Sequence, residues 1–277
     1  MTRLADFVAG QSMPQLYDAY WVPSVLDVYA RGLAAHVKRG DRVLDLGCGT
    51  GLVTGYAAAR AGREGDVIGY DPTPDFLDAA RAKSFSGARI RWIEGFAEDM
   101  PFENASFGVV LCHQTLQYVT DRVKTFAEIK RVLVPGGILH AGVWAKAADQ
   151  PAFGFVEDAL AKHLGPNQKP VHAWSFGGLA ELRRLAEVAG LIVQRLEKLE
   201  RPARFDSIQR FVDVQIACAG RTAENGRFAM GLVDLEDERW LPAIDAFSAD
   251  AHAALASCVD REALVAPFAS DEMSATA

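Results

Sequence analysis

The chain has few of the residues that build metal and disulfide frameworks. Its 277 residues include four cysteines, Cys48, Cys112, Cys218 and Cys258, which lie far apart. Zinc and iron–sulfur sites place cysteines a few residues from one another, and the chain has no such spacing. We therefore interpret these thiols as buried or backbone-serving groups rather than as metal ligands.

Long apolar runs are also missing. No apolar stretch approaches the roughly 20 residues needed to span a bilayer. The first residues, MTRLAD, place Asp6 where a secretory signal would have its apolar region. We expect a cytoplasmic protein.

An excess of basic residues is absent as well. The 29 Lys and Arg against 36 Asp and Glu give a formal net charge of -7. Nucleic-acid binders concentrate basic residues to neutralise phosphates, whereas here acids and bases alternate, as in residues 122–131. This balance makes a nucleic-acid partner improbable and favours a small-molecule substrate. It leaves open whether the chain forms a homodimer.

The hydrophobic pattern predicts an α/β sheet. Half of the residues are hydrophobic, enough for a sizeable core, and at about 150 residues per domain the length allows one large or two small domains. Short apolar or alternating runs predict strands at residues 43–46, 67–70, 90–94, 107–112, 138–144, 191–199 and 264–268. Helical periods separate most of them, which is typical of a doubly wound, mostly parallel sheet. Pro267 cannot donate to a ladder, so we expect the last strand at an edge.

A glycine-rich turn follows the first predicted strand. The sequence Gly47-Cys48-Gly49-Thr50-Gly51 lies between a strand and a helix, where bare backbone N–H groups can approach a nucleotide or an adenosyl cofactor. A dinucleotide fingerprint requires a small residue at position 52, which is Leu52, and no phosphate-binding GxxxxGK[ST] is present. Asp71 closes the second strand, at the position where an acid binds ribose hydroxyls. If the glycines are considered without Asp71, a tight strand–helix turn that binds no ligand remains the alternative interpretation.

Four ordered segments then resemble a known family. Residues 43–51 (VLDLGCGTG) resemble motif I of the class I S-adenosylmethionine-dependent methyltransferases. Residues 95–102 (GFAEDMPF), 107–110 (FGVV) and 128–137 (EIKRVLVPGG) resemble its later elements. The similarity is in particular to the ubiquinone/menaquinone-biosynthesis-like group, which acts on small molecules. It covers residues 40–145 clearly and implies a Rossmann-like, seven-stranded, mostly parallel sheet with helical lid elements.

The resemblance implies one domain over residues 1–277 with S-adenosyl-L-methionine as cofactor and S-adenosyl-L-homocysteine as product. Its implied parts are an N-terminal helical lid (1–39), a cofactor-binding core (40–145), a lid insertion (146–177), a helix and strand (178–205), a helical insertion (206–262) and a closing edge strand (263–277).

Roles for individual residues follow from the same resemblance. Gly47, Cys48 and Gly49, with Asp45 behind them, would face the methionine part of the cofactor. Asp71 would hold the ribose hydroxyls.

The adenine and the amino group have their own implied partners. Pro72 would lie against the adenine, and Ala97 and Glu98 would flank its edge. Cys112 and His113 would offer backbone carbonyls to the amino group.

One position departs from the family. Phe96 stands where the family has Asp, so the adenine amino group lacks its usual carboxylate partner. Either Glu98 or the backbone replaces it, or stacking holds the ring. We favour backbone contacts with stacking.

The end of the fourth strand carries the candidate catalytic group. His113 lies where ligands bind in parallel sheets, and histidine titrates near neutrality, so His113 is a candidate base. Its alternative role is contact with cofactor or substrate without proton transfer.

The segment after the fourth strand lacks the cluster of acids that a metal site would use, and we therefore expect no metal requirement. For the substrate pocket we favour Tyr17 and Trp144, with His172 as a further contact.

These residues favour methyl transfer to an O, N or C nucleophile of a small, apolar or aromatic molecule. The alternatives are an S-adenosylmethionine-binding enzyme that catalyses a non-methylating reaction, a cofactor-binding regulatory module, and a dehydrogenase, which Leu52 disfavours.

Overall fold

The structure, a computed structural model, describes residues 3–163, 176–218, 220–222, 228–230 and 241–277. Its contacts divide the chain into two compact units. The helical unit comprises Met1–Leu26, Lys146–Trp174 and Glu200–Ala269, and the sheet unit comprises Asp27–Ala145, Ser175–Leu199 and Ser270–Ala277.

The helices in chain order are α1 (Arg3–Val8), α2 (Met13–Leu16), a π-helical segment (Tyr17–Leu26), α3 (Asp27–Ala34), α4 (Leu52–Ala61), α5 (Pro74–Arg81), α6 (Arg122–Val132), α7 (Pro151–His163), α8 (Leu179–Val188), α9 (Ile208–Cys218) and α10 (Leu241–Leu255). Short 3₁₀ turns lie at Ala147–Asp149 and Ala256–Cys258. The strands are β1 (Arg42–Leu46), β2 (Asp66–Asp71), β3 (Arg89–Glu94), β4 (Phe107–His113), β5 (Leu133–Trp144), β6 (Ile192–Phe205), β7 (Gly220–Thr222), β8 (Phe228–Met230), β9 (Val259–Asp260) and β10 (Ala263–Thr276).

Seven strands form the main sheet in the order β3-β2-β1-β4-β5-β10-β6, and β9 pairs with β10. β1 runs parallel to β2 and β4, β2 to β3, and β4 to β5, while β10 runs antiparallel to β5. The predicted doubly wound, mostly parallel α/β sheet is confirmed. Strand order reverses between β1 and β4, and in open α/β sheets ligands bind at that reversal, beyond the carboxyl ends of the strands.

Successive side chains of β1 point to opposite faces of the sheet, where different helices pack. Val43 packs in the apolar cluster with α3 and α4, and Leu44 and Leu46 pack in the cluster with α6 and α8. Because side chains of a strand alternate between its two faces, Asp45 shares the α4 face with Val43. A carboxylate is thereby buried beneath the glycine turn.

The last strand differs from its prediction. β10 lies between β5 and β6, so it is not an edge strand. Its pairing with β5 begins at Ser270, opposite Trp144, and Pro267 precedes this paired stretch. The missing N–H of Pro267 therefore leaves the β5 ladder intact.

The helical unit has an aromatic core of its own. Phe153 lies 4.3 Å from Phe268, 5.3 Å from Phe211 and 6.1 Å from Trp21 between ring centroids. The segments predicted as lid and insertion thus pack on one another, and contacts define two compact units where one domain was expected. The insertion is helical at α9 and α10 but also contains the antiparallel pair β7–β8.

The N-terminal helical region contains a proline within a helix. Pro23 lies inside the π-helical segment, whose wider turn is a known local irregularity of helices.

Within the described ranges, no helix combines the length and apolarity that crossing a membrane requires.

Candidate functional site

The glycine loop is anchored to the end of β2. The carbonyl of Tyr70 accepts hydrogen bonds from the N–H of Gly47 at 2.7 Å and of Cys48 at 3.2 Å. The carboxylate of Asp71 accepts from the N–H of Gly49 through Oδ2 and from the N–H of Thr73 through Oδ1, each at 2.9 Å. Burial raises the pKa of Asp71, and these two backbone donors act in the opposite direction.

Two glycines of the loop are required by geometry. Gly47 has φ +73, and a Cβ there would lie 2.1 Å from Oγ1 of Thr115. Gly51 has φ +86, and its Cβ would lie 2.7 Å from the ring of Trp92. L-residues with side chains rarely adopt this left-handed region. At these two positions of the carboxyl edge, the loop therefore has a conformation and a close packing that only glycine allows.

Asp45 lies beneath this loop as a buried acid. Thr54 of α4 donates its hydroxyl to Oδ2 of Asp45 at 2.5 Å. Oδ1 of Asp45 is buried and has no hydrogen-bond donor among the described residues. Burial raises the pKa of Asp45 to about 7, so a nearby positive charge would favour the ionised form.

The segment after β3 lies beside the end of β2. The hydroxyl of Tyr70 donates to the carbonyl of Phe96 at 3.1 Å. Ala97 is buried, whereas the Phe96 side chain is 49% exposed. Oε1 of Glu98 accepts from the N–H of Thr120 at 2.7 Å and from that of Asp121 at 3.2 Å. One oxygen of Glu98 thus binds the loop that leads into α6.

The end of β4 brings Cys112 and His113 to the same edge. Cys112 is fully buried, and burial raises the pKa of its thiol. The His113 ring lies edge-on to Trp144, with 6.3 Å between ring centroids. Nε2 of His113 is buried with no hydrogen-bond partner in the described chain. Burial lowers the pKa of His113 to about 4, so the imidazole is neutral at physiological pH.

The residues after His113 form a polar network that the sequence did not identify. Gln114 has φ +55, and its Nε2 donates to Oγ of Ser270 at 3.1 Å. Gln117 donates its amide to Oε1 of Gln114 at 3.2 Å. Thr115 donates to the carbonyls of Gly47 at 3.3 Å and His113 at 3.1 Å. No spacing rule marks these residues, since only the fold brings Ser270 next to Gln114.

The remaining predicted residues fall in different places. Cys48 is buried in the glycine loop, and Pro72 is exposed directly after Asp71. Trp144 ends β5 in the sheet unit, whereas Tyr17 begins the π-helical segment in the helical unit and is partly buried.

His172 lies outside the described residues. Its predicted role as a substrate contact therefore stays a prediction.

The groups at this edge match the chemistry of an adenosyl cofactor with a cationic amino acid tail. The glycine loop lies at the carboxyl end of β1, and beneath it Asp45 offers a buried oxygen that no donor of the described residues occupies. The two oxygens of Asp71 each retain accepting capacity, because a carboxylate oxygen has about two lone-pair sites. The set fits the group that the sequence motifs imply.

Comparisons with known proteins agree with this geometry. Residues 44–141 match the family described as methyltransferase domain. Demethylmenaquinone methyltransferase from Staphylococcus aureus (strain JH9) is 31% identical over 177 residues, which cover 58% of this chain and 71% of that protein.

Solved structures share the fold at low identity. The YcgJ protein from Bacillus subtilis has a TM-score of 0.57 at 19% identity, covering 90% of this chain and 98% of that one. The [4+2]-cyclase SpnF has a TM-score of 0.53 at 17% identity, covering 90% of this chain and 80% of that one.

The chain belongs to the class I S-adenosylmethionine-dependent methyltransferases. It is an enzyme, and S-adenosylmethionine is its cofactor. Within the class it is of the ubiquinone/menaquinone type, as the sequence motifs indicated, and it acts on a small molecule.

A pH-dependent stability difference tests the buried state of Asp45. Its folded pKa of about 7 lies above the ordinary aspartate pKa of 3.8, so the native state binds more protons than the unfolded state between these values. Stability therefore falls as pH rises through this window and is lowest above it. Relative to the wild type, Asp45→Asn should gain more than about 1 kcal/mol of unfolding free energy between pH 4.5 and pH 8.

Urea unfolding of both proteins at several pH values measures this difference. Thr54→Ser retains the hydroxyl donor and should follow the wild-type pH profile. A difference between Asp45→Asn and wild type that stays constant with pH would contradict the assignment.

Proposed function

We propose that this chain transfers the methyl group of S-adenosylmethionine by in-line displacement to an O, N or C nucleophile of a small, apolar or aromatic molecule. The observation that carries the proposal is the glycine loop anchored by Asp71. Beneath it lies Oδ1 of Asp45, which has no hydrogen-bond donor among the residues that the structure describes. A glycine loop at the carboxyl edge of the sheet, above a buried acceptor oxygen, suits a ligand with polar groups and a positive charge.

The proposed cofactor contacts follow the carboxyl edge of the sheet. Gly47, Cys48 and Gly49 would bind the methionine part through their backbone. Asp45 would compensate its positive charge through Oδ1, which no donor of the described chain occupies. Asp71 would accept the ribose hydroxyls while it keeps its two backbone donors.

The proposed adenine pocket combines backbone and stacking. Pro72 and the half-exposed ring of Phe96 offer apolar surface for the ring system. The buried Ala97 would flank the adenine edge. Glu98 would flank the same edge, but one of its oxygens already serves Thr120 and Asp121, which supports backbone contacts as the replacement for the missing Asp.

The amino group of the cofactor would bind to backbone carbonyls at the end of β4. Cys112 and His113 supply them, and the His113 carbonyl also accepts the Thr115 hydroxyl at 3.1 Å. A carbonyl oxygen has two lone pairs, so it can serve both donors.

When bound, S-adenosylmethionine supplies an electrophilic methyl group on a sulfonium. The protein aligns the nucleophile with that methyl and excludes water, an effect worth up to about 7–11 kcal/mol. His113 would accept the acceptor's proton at Nε2. Its pKa of about 4 makes it a weak base, which suffices where methylation itself turns the acceptor O–H or N–H into a strong acid.

The substrate proposal rests on aromatic side chains and on the relative. The matched Staphylococcus aureus protein is a demethylmenaquinone methyltransferase, which favours a flat ring system as acceptor. Trp144, edge-on to both His113 and Tyr29, would contact such a ring. Tyr17 and His172 are the further proposed contacts.

Product stoichiometry tests the reaction. The protein is incubated with S-adenosylmethionine and a library of small aromatic acceptors, and products are identified by mass spectrometry. We expect one S-adenosylhomocysteine for each methylated product. Conversion of an acceptor without S-adenosylhomocysteine would establish the non-methylating alternative.

Asp71→Ala tests the cofactor site. We expect S-adenosylmethionine affinity to fall by about tenfold or more, because ribose hydroxyls lose their acceptor and the glycine loop loses its anchor. Equilibrium dialysis with labelled cofactor measures this loss. Glu94→Ala, at the neighbouring position of β3, is the matched control and should bind normally. Unchanged affinity in a folded Asp71→Ala would overturn the assignment.

His113→Ala separates proton transfer from binding. We expect S-adenosylmethionine affinity to stay within about twofold and turnover to fall by about 100-fold, the usual contribution of a general base. Because the pKa of His113 is about 4, the loss should be the same from pH 6 to pH 9. A variant that is fully active across this range would exclude the base role.

A further inference from the structure

One buried residue after β4 has a backbone conformation that residues with side chains rarely adopt. In the part of the chain that the structure describes, the non-glycine residues with positive φ are Ala105, Gln114, Arg261 and Glu262. Ala105, Arg261 and Glu262 are exposed and lie in the turns that precede β4 and β10. Gln114, with φ +55, is buried and directly follows His113. Such a strained conformation persists only where the surrounding structure holds it, and strained positions concentrate at functional sites.

Three hydrogen bonds hold Gln114 in this conformation. Its backbone N–H donates to the carbonyl of Gly142 at 2.8 Å. Its side-chain Nε2 donates to Oγ of Ser270 at 3.1 Å, and its Oε1 accepts from the amide of Gln117 at 3.2 Å. Ser270 in turn donates to the carbonyl of Val143 at 3.2 Å. All of these residues belong to the sheet unit, and together they bind Gln114 to β5 and β10.

The side chain of Gln114 lies beside the residue of β5 that pairs with His113. That residue is Gly142. A Cβ at Gly142 would lie 3.8 Å from Nε2 of Gln114 and 3.3 Å from Oγ of Ser270. The missing side chain of Gly142 thus leaves space for the contact between Gln114 and Ser270.

The turn at Gln114 directs the next residue to the glycine loop. Thr115 donates its hydroxyl to the carbonyls of Gly47 at 3.3 Å and His113 at 3.1 Å. Its Oγ1 would lie 2.1 Å from a Cβ at Gly47, so Thr115 fills the space that a side chain there would need. Extended backbone at Gln114 would instead continue in the direction of β4. The conformation of Gln114 therefore determines where the chain after His113 contacts the glycine loop.

We propose that Gln114 is a positioning residue, whose left-handed conformation aligns the His113 imidazole at the end of β4 with the glycine loop of the cofactor site. This inference rests on the proposed methyl transfer, in which His113 takes the proton of the acceptor. In-line displacement requires close alignment of the reacting groups, and a misplacement of about 1 Å can cost about 100-fold in rate. The side-chain contacts of Gln114 serve to hold its backbone conformation.

Two substitutions separate the conformation of Gln114 from its side chain. Gln114→Ala and Gln114→Gly both remove the side-chain hydrogen bonds to Ser270 and Gln117. Only glycine adopts positive φ without a steric cost. If the conformation is what matters, the smaller residue should preserve the site better than alanine does.

The imidazole of His113 provides a measurement that does not depend on turnover. Its ring lies edge-on to Trp144, with 6.3 Å between ring centroids, so the ring current of the indole makes the His113 Cε1–H resonance sensitive to position. In ¹H–¹³C spectra of the whole protein, this resonance is assigned by its loss in His113→Ala. We expect Gln114→Ala to move it and Gln114→Gly to leave it near its wild-type position. An unmoved resonance in Gln114→Ala, or equal movement in both variants, would overturn the proposal.

Turnover is measured on the same variants with the acceptor of highest turnover in the small-aromatic library. We expect kcat to fall by about tenfold or more in Gln114→Ala and to stay within about threefold of wild type in Gln114→Gly. The Kd for S-adenosylmethionine should stay within about threefold in both, because Asp71 still anchors the glycine loop. A Gln114→Ala protein with wild-type kcat and a lowered Tm would show a merely structural role and refute the proposal.

Ala105→Gly is the matched control. It relieves the same kind of backbone strain in an exposed turn before β4, so the Tm should not fall. Neither kcat nor the His113 resonance should change. A change in either would mean that strain far from the site has the same effect, which would contradict a specific role for Gln114.

The two measurements separate this inference from the proposed function. A wild type that methylates no acceptor, while its His113 resonance responds to the two variants as expected, counts against the proposed function alone. Methylation by the wild type, with neither kcat nor the resonance altered in Gln114→Ala, overturns this inference alone.

Discussion

The carboxylate of Asp71 is the constraint on which the candidate site depends. Its two oxygens hold the N–H of Gly49 and the N–H of Thr73, so one side chain fixes both the glycine loop and the entry to α5. A buried acid that accepts charge-assisted bonds from backbone N–H groups is stable only while those donors stay in place. The loop conformation and the acid thus determine each other. The same oxygens keep the lone pairs that ribose hydroxyls would use.

The unpaired buried groups of the two units differ in hydrogen-bonding chemistry. In the sheet unit, no described residue donates to Oδ1 of Asp45 beneath the glycine loop, and none pairs with Nε2 of His113 at the end of β4. Among the described residues of the helical unit, Trp21, Arg210 and Gln215 leave N–H donors unused. An unused acceptor oxygen suits the positively charged cofactor.

The sheet and the glycine loop could be predicted because their signals are local. Gly47 directly follows Leu46, the last residue of β1, and Asp71 is the last residue of β2. The strand, the turn and the acid can therefore each be recognised within a short segment of the sequence. The position of β10 could not be predicted, since pairing of Ser270 with Trp144 joins residues far apart in the chain. Pro267 suggested an edge, but it lies outside the paired stretch.

The candidate site could likewise be predicted only where its residues follow from local sequence signals. His113 follows from its place at a strand end, and the structure adds that burial lowers its pKa to about 4. The Thr54 contact to Asp45 and the Gln114–Ser270 contact depend on packing between distant segments, which no spacing reveals. The division into two units could not be predicted either. The sequence pattern around aromatic residues such as Phe153 and Phe211 is the same whether they line a lid or form a separate core.

The central claim is that the glycine loop and Asp71 form a site for S-adenosylmethionine rather than for a dinucleotide. Isothermal titration calorimetry of the whole chain with S-adenosylmethionine and, separately, with NAD tests it most directly. The account predicts one S-adenosylmethionine bound per chain and no heat of binding for NAD. Binding of NAD, or of neither ligand, would contradict it.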